Sequence, residues 1–375
     1  IINMLIDKLV TDVHSHKFSM LYNGHTESSF GDRFSVYKPH VNEIHADSGG
    51  LQIVTQGMTI TDELKDKVYE NQAQWADVGM CFDEIPVILT GTRSDRNDTK
   101  ARFFDFENYE ELARKTGRNV KRQLEIFDKN DSKCKPYIIL QGNCIDTYLR
   151  WYELLMEEVP AEWHHRIGGV AMGAAALGTG PLEDVKRAFI ASEIAKVWPQ
   201  ERMNLHILGV GSIRRIIPYL VFCQNGLYDN VDISYDSTTH SRAVETGLYY
   251  MGKGTTKFSI QLGVDLDEFH TIMNTPSMKA KEKYGNLNKW IYVRTAFILM
   301  SIRNFMAHLE QMMNDKETLL KFTGKMKLDG QFRNLYNVTN REQYDAWENN
   351  QYLGGSMKSM AVGTEAPSSL EDLFE

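Results

Sequence analysis

Residues 203–236 read MNLHILGVGSIRRIIPYLVFCQNGLYDNVDISYD. Two short apolar runs, residues 204–208 and 231–235, have the length of buried strands, and the segment 213–224 between them has the pattern of a helix. The first run ends at a Gly-Val-Gly turn and the second ends at Asp236. This order predicts a β/α/β unit whose two strands lie parallel.

The same alternation occupies the chain before this unit. We predict earlier strands near residues 43–46, 77–82, 137–140 and 167–171. We predict earlier helices near residues 62–74, 109–128, 147–158 and 183–197. Six such units predict an α/β fold in which helices cover a parallel sheet, and we expect a (β/α)8 TIM barrel.

After Asp236 the pattern changes to longer helical segments, one from about residue 266 and one over residues 286–313. We therefore expect a barrel domain at residues 1–310 and a helical or irregular C-terminal extension at residues 311–375. The Ser-, Gly- and Glu-rich composition from Gly354 onwards predicts a mobile tail.

Composition and charge narrow the class of protein. No apolar stretch approaches the ~20 residues that span a bilayer, so we expect a soluble protein without a membrane partner. The four cysteines form no CxxC pair, which argues against a disulfide framework or a cysteine zinc cage and favours a reducing cytoplasm. A net charge of -8 means that contact with nucleic acid needs a local basic surface. The basic residues between Arg93 and Arg122 offer one, and a solvated helix face explains them equally well.

Polar residues and glycines follow the predicted strands, at the end where (β/α) barrels carry their active sites. They are Asp47 with Ser48, Asp83 with Glu84, Gln141 with Gly142, the turn from Gly209 to Gly211, and Asp236, with Gly168 and Gly169 on the fourth strand. Each feature alone is typical of an ordinary turn, and only their shared edge indicates a site. Carboxylates, an amide and exposed backbone suit a planar heterocycle and a reaction that needs a nucleophile and a proton donor.

Four histidines are candidate metal ligands by residue type, namely His14, His16, His164 and His165. None has a carboxylate or cysteine partner at the spacing of a metal site. We therefore interpret them as surface or loop residues and predict no metal and no cofactor.

Six segments between Asp47 and Arg242 resemble, in order, the motifs of the tRNA-guanine transglycosylase superfamily. HADSGGLQ is similar to the family's DSGG(F/Y)Q, ADVGMCFDEIP to its strand ending in DE, ILQG to VQG, IGGVAMG to GGLAVGE, HILGVG to LMGVG, and VDISYDSTTHSR to VDMFDCVLPTR. The resemblance implies that Asp236 attacks the sugar C1′ and holds a covalent glycosyl intermediate. It implies that Asp47 is the general acid/base. If Asp236 is not required, Asp232 on the same predicted strand is the second candidate for the nucleophile. This is the two-carboxylate logic of retaining glycosidases.

The resemblance also implies the residues that bind the base. Asp83, Gln141 and the backbone of Gly169 read its edge, while Leu51 and Leu208 lie on its two faces. The expected base-binding set is completed by Ser48 and Gly168. The expected nucleic-acid contacts are Arg93, Arg96 and Arg242.

The chain departs from the tRNA enzymes in ways that favour another polymer. Their zinc site, a CxCxxC motif with a histidine after the nucleophile strand, cannot form here because Cys223 is the last cysteine. We therefore expect a fold without the zinc subdomain, which argues against tRNA and against the family dimer. Ala174 replaces a glutamate that supports an aminomethyl base, and Ile85 makes the pocket wall more apolar. The absence of that glutamate favours 7-cyano-7-deazaguanine as the incoming base.

A zinc-less chain of this kind is similar to the DNA-guanine transglycosylases of bacteriophages and bacterial modification islands. We expect an enzyme that exchanges guanine in DNA for a 7-deazaguanine, located in the cytoplasm, or in the host cytoplasm if a phage encodes it. Two alternatives stay open: a zinc-less tRNA enzyme and a catalytically silent accessory subunit. The oligomeric state is also open.

Overall fold

The structure is a computed structural model, and it describes residues 19–24, 38, 41–50, 59–89, 102–173, 181–240, 248–250, 255–257, 287–325 and 329–353. Several sequence predictions fall outside these residues. They concern Leu51, Arg93, Arg96, Ala174 and Arg242, the helical segment from about residue 266, and the tail from residue 354.

The described strands and helices follow the predicted alternation. The strands are β1 (Met20–Asn23), β2 (Ile44–Asp47), β3 (Val78–Met80), β4 (Val87–Leu89), β5 (Arg102–Phe104), β6 (Lys135–Leu140), β7 (Gly169–Met172), β8 (Met203–Ile207), β9 (Val231–Tyr235), β10 (Leu248–Tyr250) and β11 (Thr255–Lys257). The helices are α1 (Asp62–Trp75), α2 (Tyr109–Lys129), α3 (Ile145–Glu157), α4 (Pro181–Lys196), α5 (Ile213–Gln224), α6 (Leu287–Asn314), α7 (Lys316–Lys325), α8 (Asp329–Leu335) and α9 (Arg341–Leu353). The six predicted strands, the five predicted helices between them and the helix predicted over 286–313 are confirmed.

Seven strands form one parallel sheet in the order β1-β2-β3-β6-β7-β8-β9. Helices α1 to α5 each lie in the chain between consecutive strands of this sheet, so the predicted mixed α/β fold is confirmed. Strand β1 was not predicted, because a four-residue run that ends in a polar Asn23 gives little periodicity to detect. Strands β4 and β5 pair separately as an antiparallel ribbon between β3 and α2.

The parallel sheet is strongly curled. Strand β8 is the fourth neighbour of β2, which in a flat sheet is roughly 19 Å away at about 4.8 Å per strand. Nevertheless, the rings of His45 on β2 and His206 on β8 lie 5.5 Å apart between centroids. The Tyr137 ring of β6 is 6.2 Å from that of His45. These side chains therefore lie inside the concave face, as in the interior of a barrel.

Two buried glutamines attach the first two helices to the sheet. Gln72 of α1 donates from Nε2 to the carbonyls of Ala46 at 3.3 Å and Met80 at 2.9 Å. Gln123 of α2 donates from Nε2 to Gln72 Oε1 at 2.7 Å and to the Gly79 carbonyl at 3.0 Å. A Cβ at Gly79 would lie 2.7 Å from Gln72 Oε1, so this position requires glycine. The amides thus fix the spacing between β2, β3 and their covering helices.

The C-terminal helices pack on the α5 side of the sheet. Gln224 of α5 donates from Nε2 to the carbonyls of Met312 and Met313 in α6, both at 2.8 Å. Residue 310, where the sequence analysis divides the chain, lies within α6, and the division into two domains stays a prediction. Among the described helices, none combines the length and apolar character needed to cross a membrane.

Replacing Gln72 with leucine is expected to destabilise the fold. The variant leaves the Ala46 and Met80 carbonyls and one donor of Gln123 without their Gln72 partner, and an unpaired buried polar group costs about 1–3 kcal/mol. We expect the free energy of unfolding from urea titration to fall by about 2–4 kcal/mol. Glu70→Gln, at an exposed position of the same helix, should match the parent. Equal stability of Gln72→Leu and the parent would contradict this account.

Candidate active site

The carboxyl ends of the parallel strands meet at one edge of the sheet, and four predicted site residues lie there. Asp47 ends β2, Asp83 follows β3, Gln141 follows β6 and Asp236 follows β9. Charge repulsion from Asp236 and Asp83 helps to raise the pKa of Asp47, so the three carboxylates are close enough to interact. Gln141 Nε2 donates to Asp83 Oδ2 at 2.7 Å. These contacts define the candidate active site.

The carboxylate of Asp236 is held through one of its two oxygens. The backbone N–H of Gly209 donates to Oδ1 at 2.8 Å, and Nε2 of His206 lies 3.3 Å from the same atom. Within the described part of the chain, no hydrogen bond to Oδ2 is found. Asp236 therefore presents one fixed and one available oxygen at the edge of the sheet.

The turn that supplies the Gly209 N–H is itself fixed from behind. Gly209 has a φ of +66°, a left-handed conformation that favours glycine. Its carbonyl accepts from Arg215 NH1 at 3.0 Å, and Arg215 Nε donates to Asp184 Oδ2 at 3.1 Å. Asp184 is fully buried. Both backbone groups of Gly209 are thus engaged before any substrate binds.

His206 is a buried member of the site that the sequence analysis did not single out. Its Nδ1 lies 2.9 Å from Ser234 Oγ, while Nε2 faces Asp236. Burial lowers the pKa of His206, and the hydrogen bond and charge of Asp236 oppose that shift. Because burial dominates, the imidazole is neutral at neutral pH.

Asp47 has the electrostatic character of an acid/base group. Burial is the largest cause that raises its pKa to about 6, and the charges of Asp236 and Asp83 add to the shift. Backbone N–H groups of Gly49 and Ser48 act in the opposite direction. A carboxyl that titrates near neutral pH can both give and accept a proton under ordinary conditions.

The Asp47 loop depends on the Ser-Gly-Gly sequence that follows. Gly49 has a φ of +75°, and a Cβ there would lie 2.5 Å from Asn23 Oδ1. The buried Ser48 accepts from the Gly50 N–H through Oγ at 3.3 Å. Ser48 thus shapes the turn next to Asp47.

Asp83 and Gln141 form a second polar pair beside the carboxylates. Burial raises the pKa of Asp83 to about 6, although its hydrogen bond from Gln141 lowers it. Gln141 is only 2% exposed, and its Oε1 has no hydrogen-bond partner among the residues that the structure describes. An unsatisfied buried acceptor costs about 1–3 kcal/mol, which a ligand donor would offset. This pair is therefore arranged to receive N–H groups.

Glu84, the neighbour of Asp83, points into the protein instead. Its Oε1 accepts from Lys65 Nζ and from Asn119 Nδ2, each at 3.4 Å. Its backbone N–H donates to Thr116 Oγ1 at 3.0 Å. Helices α1 and α2 thus anchor Glu84, which positions Asp83.

Gly168 and Gly169 do not join the site. Gly169 is level with Tyr137 near the amino end of the sheet, whereas the site lies beyond Met172 at the opposite end of β7. A Cβ at Gly169 would lie 2.5 Å from the Asn204 carbonyl, and one at Gly168 would lie 2.6 Å from Lys135 Cβ. The two glycines permit close packing of neighbouring strands, and the expectation that they line the base pocket does not agree with this position. Adjacent glycines mark a close approach without indicating which end of a strand they occupy.

Leu208 is also a predicted base contact that the structure describes. It directly follows β8 and is partly buried. Its backbone N–H donates to the Met172 carbonyl at 3.0 Å. Its neighbour Gly209 donates to Asp236, so Leu208 lies at the same edge of the sheet as that carboxylate.

Part of the basic surface predicted for DNA is paired with carboxylates. The arginines of α2 pair with carboxylates of α1, of α2 and at the end of α3: Arg114 with Glu157 and Glu158, Arg118 with Glu111 and Glu158, and Arg122 with Asp62 and Asp66. Sequence alone could not show these partners, because most of them lie on neighbouring helices. The prediction for Arg93 and Arg96 falls outside the described residues.

The alternative nucleophile Asp232 is unsuited to that role. It lies on β9, four residues before Asp236 and hence towards the amino end of the sheet, and its side chain is exposed. Arg202 NH2 pairs with its Oδ1 at 2.6 Å and lowers its pKa. A neutralised carboxylate on the opposite edge cannot act with Asp47.

Comparisons with known proteins add no assignment, because neither a family model nor a curated protein matches the chain. Among the described residues, no group of three or more His, Cys, Asp or Glu side chains is arranged to hold a metal ion. The site is therefore interpreted from its own geometry.

Asp47→Asn is expected to stabilise the fold at neutral pH. A carboxyl whose folded pKa is about 6 gives stability that is present below its unfolded pKa near 3.8 and is lost as the pH rises through 6. The amide removes this loss, so the urea-derived free energy of unfolding should rise by about 1–3 kcal/mol at pH 7.5 and by less at pH 5. Asp232→Asn, which removes a paired exposed carboxylate, should give no such gain. A destabilised Asp47→Asn at pH 7.5 would contradict the raised pKa.

Proposed function

We propose that this chain is a base-exchanging transglycosylase with Asp236 as the nucleophile and Asp47 as the acid/base. One observation carries the proposal: Asp236 is fixed through Oδ1 with Oδ2 available, beside Asp47, whose pKa is near neutral. Two carboxyl groups in different environments are what a double displacement at a sugar carbon requires.

The reaction takes two balanced steps in this proposal. Asp236 Oδ2 attacks the sugar C1′, the bond from C1′ to the guanine nitrogen breaks, and Asp47 gives the leaving base a proton. The incoming base then loses a proton to Asp47, and its nitrogen attacks C1′ and releases Asp236 from the glycosyl ester. Asp47 ends the cycle as the acid with which it began. A well-placed acid/base of this kind contributes about 10²–10⁴ in rate.

The polar pair beside the carboxylates supports a guanine-type base. Gln141 Oε1 is a free buried acceptor among the described contacts, and the ionised form of Asp83 supplies carboxylate oxygens next to it. The edge of guanine and of 7-deazaguanines presents two neighbouring donors, the N1–H and the amino group. Adenine presents an acceptor at N1, so this arrangement favours guanine-type bases over adenine.

The proposal includes a full (β/α)8 barrel, to which the described sheet contributes seven parallel strands. It also includes DNA as the polymer and 7-cyano-7-deazaguanine as the incoming base. Support for DNA is the lack of any cysteine after Cys223, and support for the cyano base is Ala174. A base within a duplex must leave its stack to reach such a site, which costs a few kcal/mol.

An exchange assay tests this function. The protein is incubated with radiolabelled guanine or 7-cyano-7-deazaguanine and, separately, with duplex DNA, single-stranded DNA or tRNA. We expect label in DNA, an adduct of protein and nucleic acid in denaturing gels, and a loss of both by about 10³-fold or more in Asp236→Asn. Asp232→Asn on the same strand is the matched control and should retain exchange.

Each outcome of this assay has a defined meaning. Label in tRNA alone would reject DNA while keeping the chemistry. Exchange that survives Asp236→Asn would reject the nucleophile. No exchange into any polymer by the folded protein would favour a silent accessory subunit.

A further inference from the structure

We infer that His206, supported by Ser234, is a positioning residue that orients the Asp236 carboxylate for attack. This inference rests on the proposed role of Asp236 as nucleophile. It assigns a function to a buried histidine that neither its residue type nor its place in an apolar strand would suggest.

The sheet register places these three groups together. His206 on β8 is the direct partner of Ser234 on β9, and Asp236 follows Ser234 by two residues on the same side. The imidazole therefore spans from Ser234 Oγ, 2.9 Å from Nδ1, to Asp236 Oδ1, 3.3 Å from Nε2. Because Ser234 lies on β9 and Asp236 directly follows that strand, rotation of the ring is restricted from both ends.

The protons available to Ser234 and Asp236 favour one tautomer of His206. Ser234 has a single hydroxyl proton, and its other neighbour is the Leu205 carbonyl at a long 3.5 Å. If Ser234 donates to Nδ1, then Nε2 carries the proton and donates to Asp236. The opposite tautomer would direct the Nε2 lone pair at a carboxylate oxygen, which is repulsive. The first arrangement satisfies all three groups.

The neutral form of His206 matters for a nucleophile. A neutral N–H donor orients a carboxylate and leaves its negative charge, whereas an imidazolium would pair with that charge and weaken the attack. Among the described residues, the titratable rings nearest to His206 inside the sheet are His45, 5.5 Å away, and Tyr137, which contacts His45. His45 is bonded to Glu43 at 2.9 Å, on the side away from Asp236. No described carboxylate other than Asp236 hydrogen-bonds to His206.

Gly209 and His206 act on the same oxygen from different elements. The Gly209 N–H belongs to the turn after β8, and the His206 ring belongs to the interior of the sheet. The Gly209 N–H holds Oδ1 close to the turn after β8. The His206 ring limits the rotation of the carboxylate about its Cβ–Cγ bond. Loss of the His206 donor should therefore misplace Oδ2 without removing the pocket for the base. A displacement of about 1 Å at a reacting atom can cost about 10²-fold in rate.

The test compares two replacements of His206 in the exchange assay. His206→Phe keeps a ring of similar size without the donor, and we expect kcat to fall by about 10–100-fold while KM for the base stays within about threefold. His206→Gln carries an N–H near the position of Nε2 and should recover most of the lost kcat. Ser234→Ala should lower kcat in parental protein and have no further effect in His206→Gln. This combination distinguishes positioning from a merely structural role.

His45→Gln is the matched control, because it replaces the adjacent buried imidazole while retaining a donor for Glu43. It should leave kcat unchanged. A loss of kcat equal to that of His206→Phe would overturn the inference, since any disturbance of the interior would then suffice. A parental kcat in folded His206→Phe, or no recovery in folded His206→Gln, would also overturn it.

The two proposals fail in different ways. If the parent exchanges no base, or if Asp236→Asn remains active, the proposed function is wrong. If Asp236 is essential and His206→Phe is fully active, only the positioning role is wrong. Thermal unfolding of each variant establishes that the comparison is made between folded proteins.

Discussion

Strand β2 and strand β8 are separated by three other strands, yet the rings of His45 and His206 approach to 5.5 Å because the sheet curls. The arrangement of the whole candidate site depends on this curling of the sheet. Curling brings Asp47 near Asp236, although their strands are five neighbours apart in the sheet. Carboxylates at such positions repel each other, so the core and the covering helices must supply the stability that the site removes.

The acidic groups share one edge but differ in their surroundings, and this difference is the basis for the different roles that we propose for them. Asp236 receives two donors on one oxygen, which orients it. The pKa of Asp47 is raised to about 6, because burial and the charges of Asp236 and Asp83 outweigh the effect of its backbone N–H donors. Asp83 has a similar pKa but faces the amide of Gln141, which suits recognition rather than proton transfer. The environment, more than the residue type, therefore determines what each carboxylate can do.

Sequence periodicity predicted most of the parallel sheet, because buried strands and amphipathic helices alternate with distinct periods. Residues at the end of a strand or directly after it, such as Asp47 and Asp236, were accordingly placed at the correct edge of the sheet. Gly168 and Gly169 were placed on the correct strand, but the resemblance implied a base contact that their position at its amino end does not favour. His206 was overlooked, because a single histidine in an apolar strand has no local signal, and its meaning depends on Ser234 across the sheet. The ion pairs of the α2 arginines could not be predicted for the same reason, because most of their carboxylate partners lie outside α2.

The buried ion cluster behind the site explains why a glycine turn can hold a carboxylate firmly. Asp184 accepts from Arg187 at 2.5 Å and from Arg215 at 3.1 Å, with Asp184 and Arg187 fully buried. Buried ion pairs contribute little net stability, since desolvation offsets their attraction. Their effect here is geometric: α4 and α5 are joined, and Arg215 is directed at the Gly209 carbonyl. The opposite face of that peptide turn then presents its N–H to Asp236. A cluster of little energetic benefit thus transmits the position of two helices to the N–H that orients the Asp236 carboxylate.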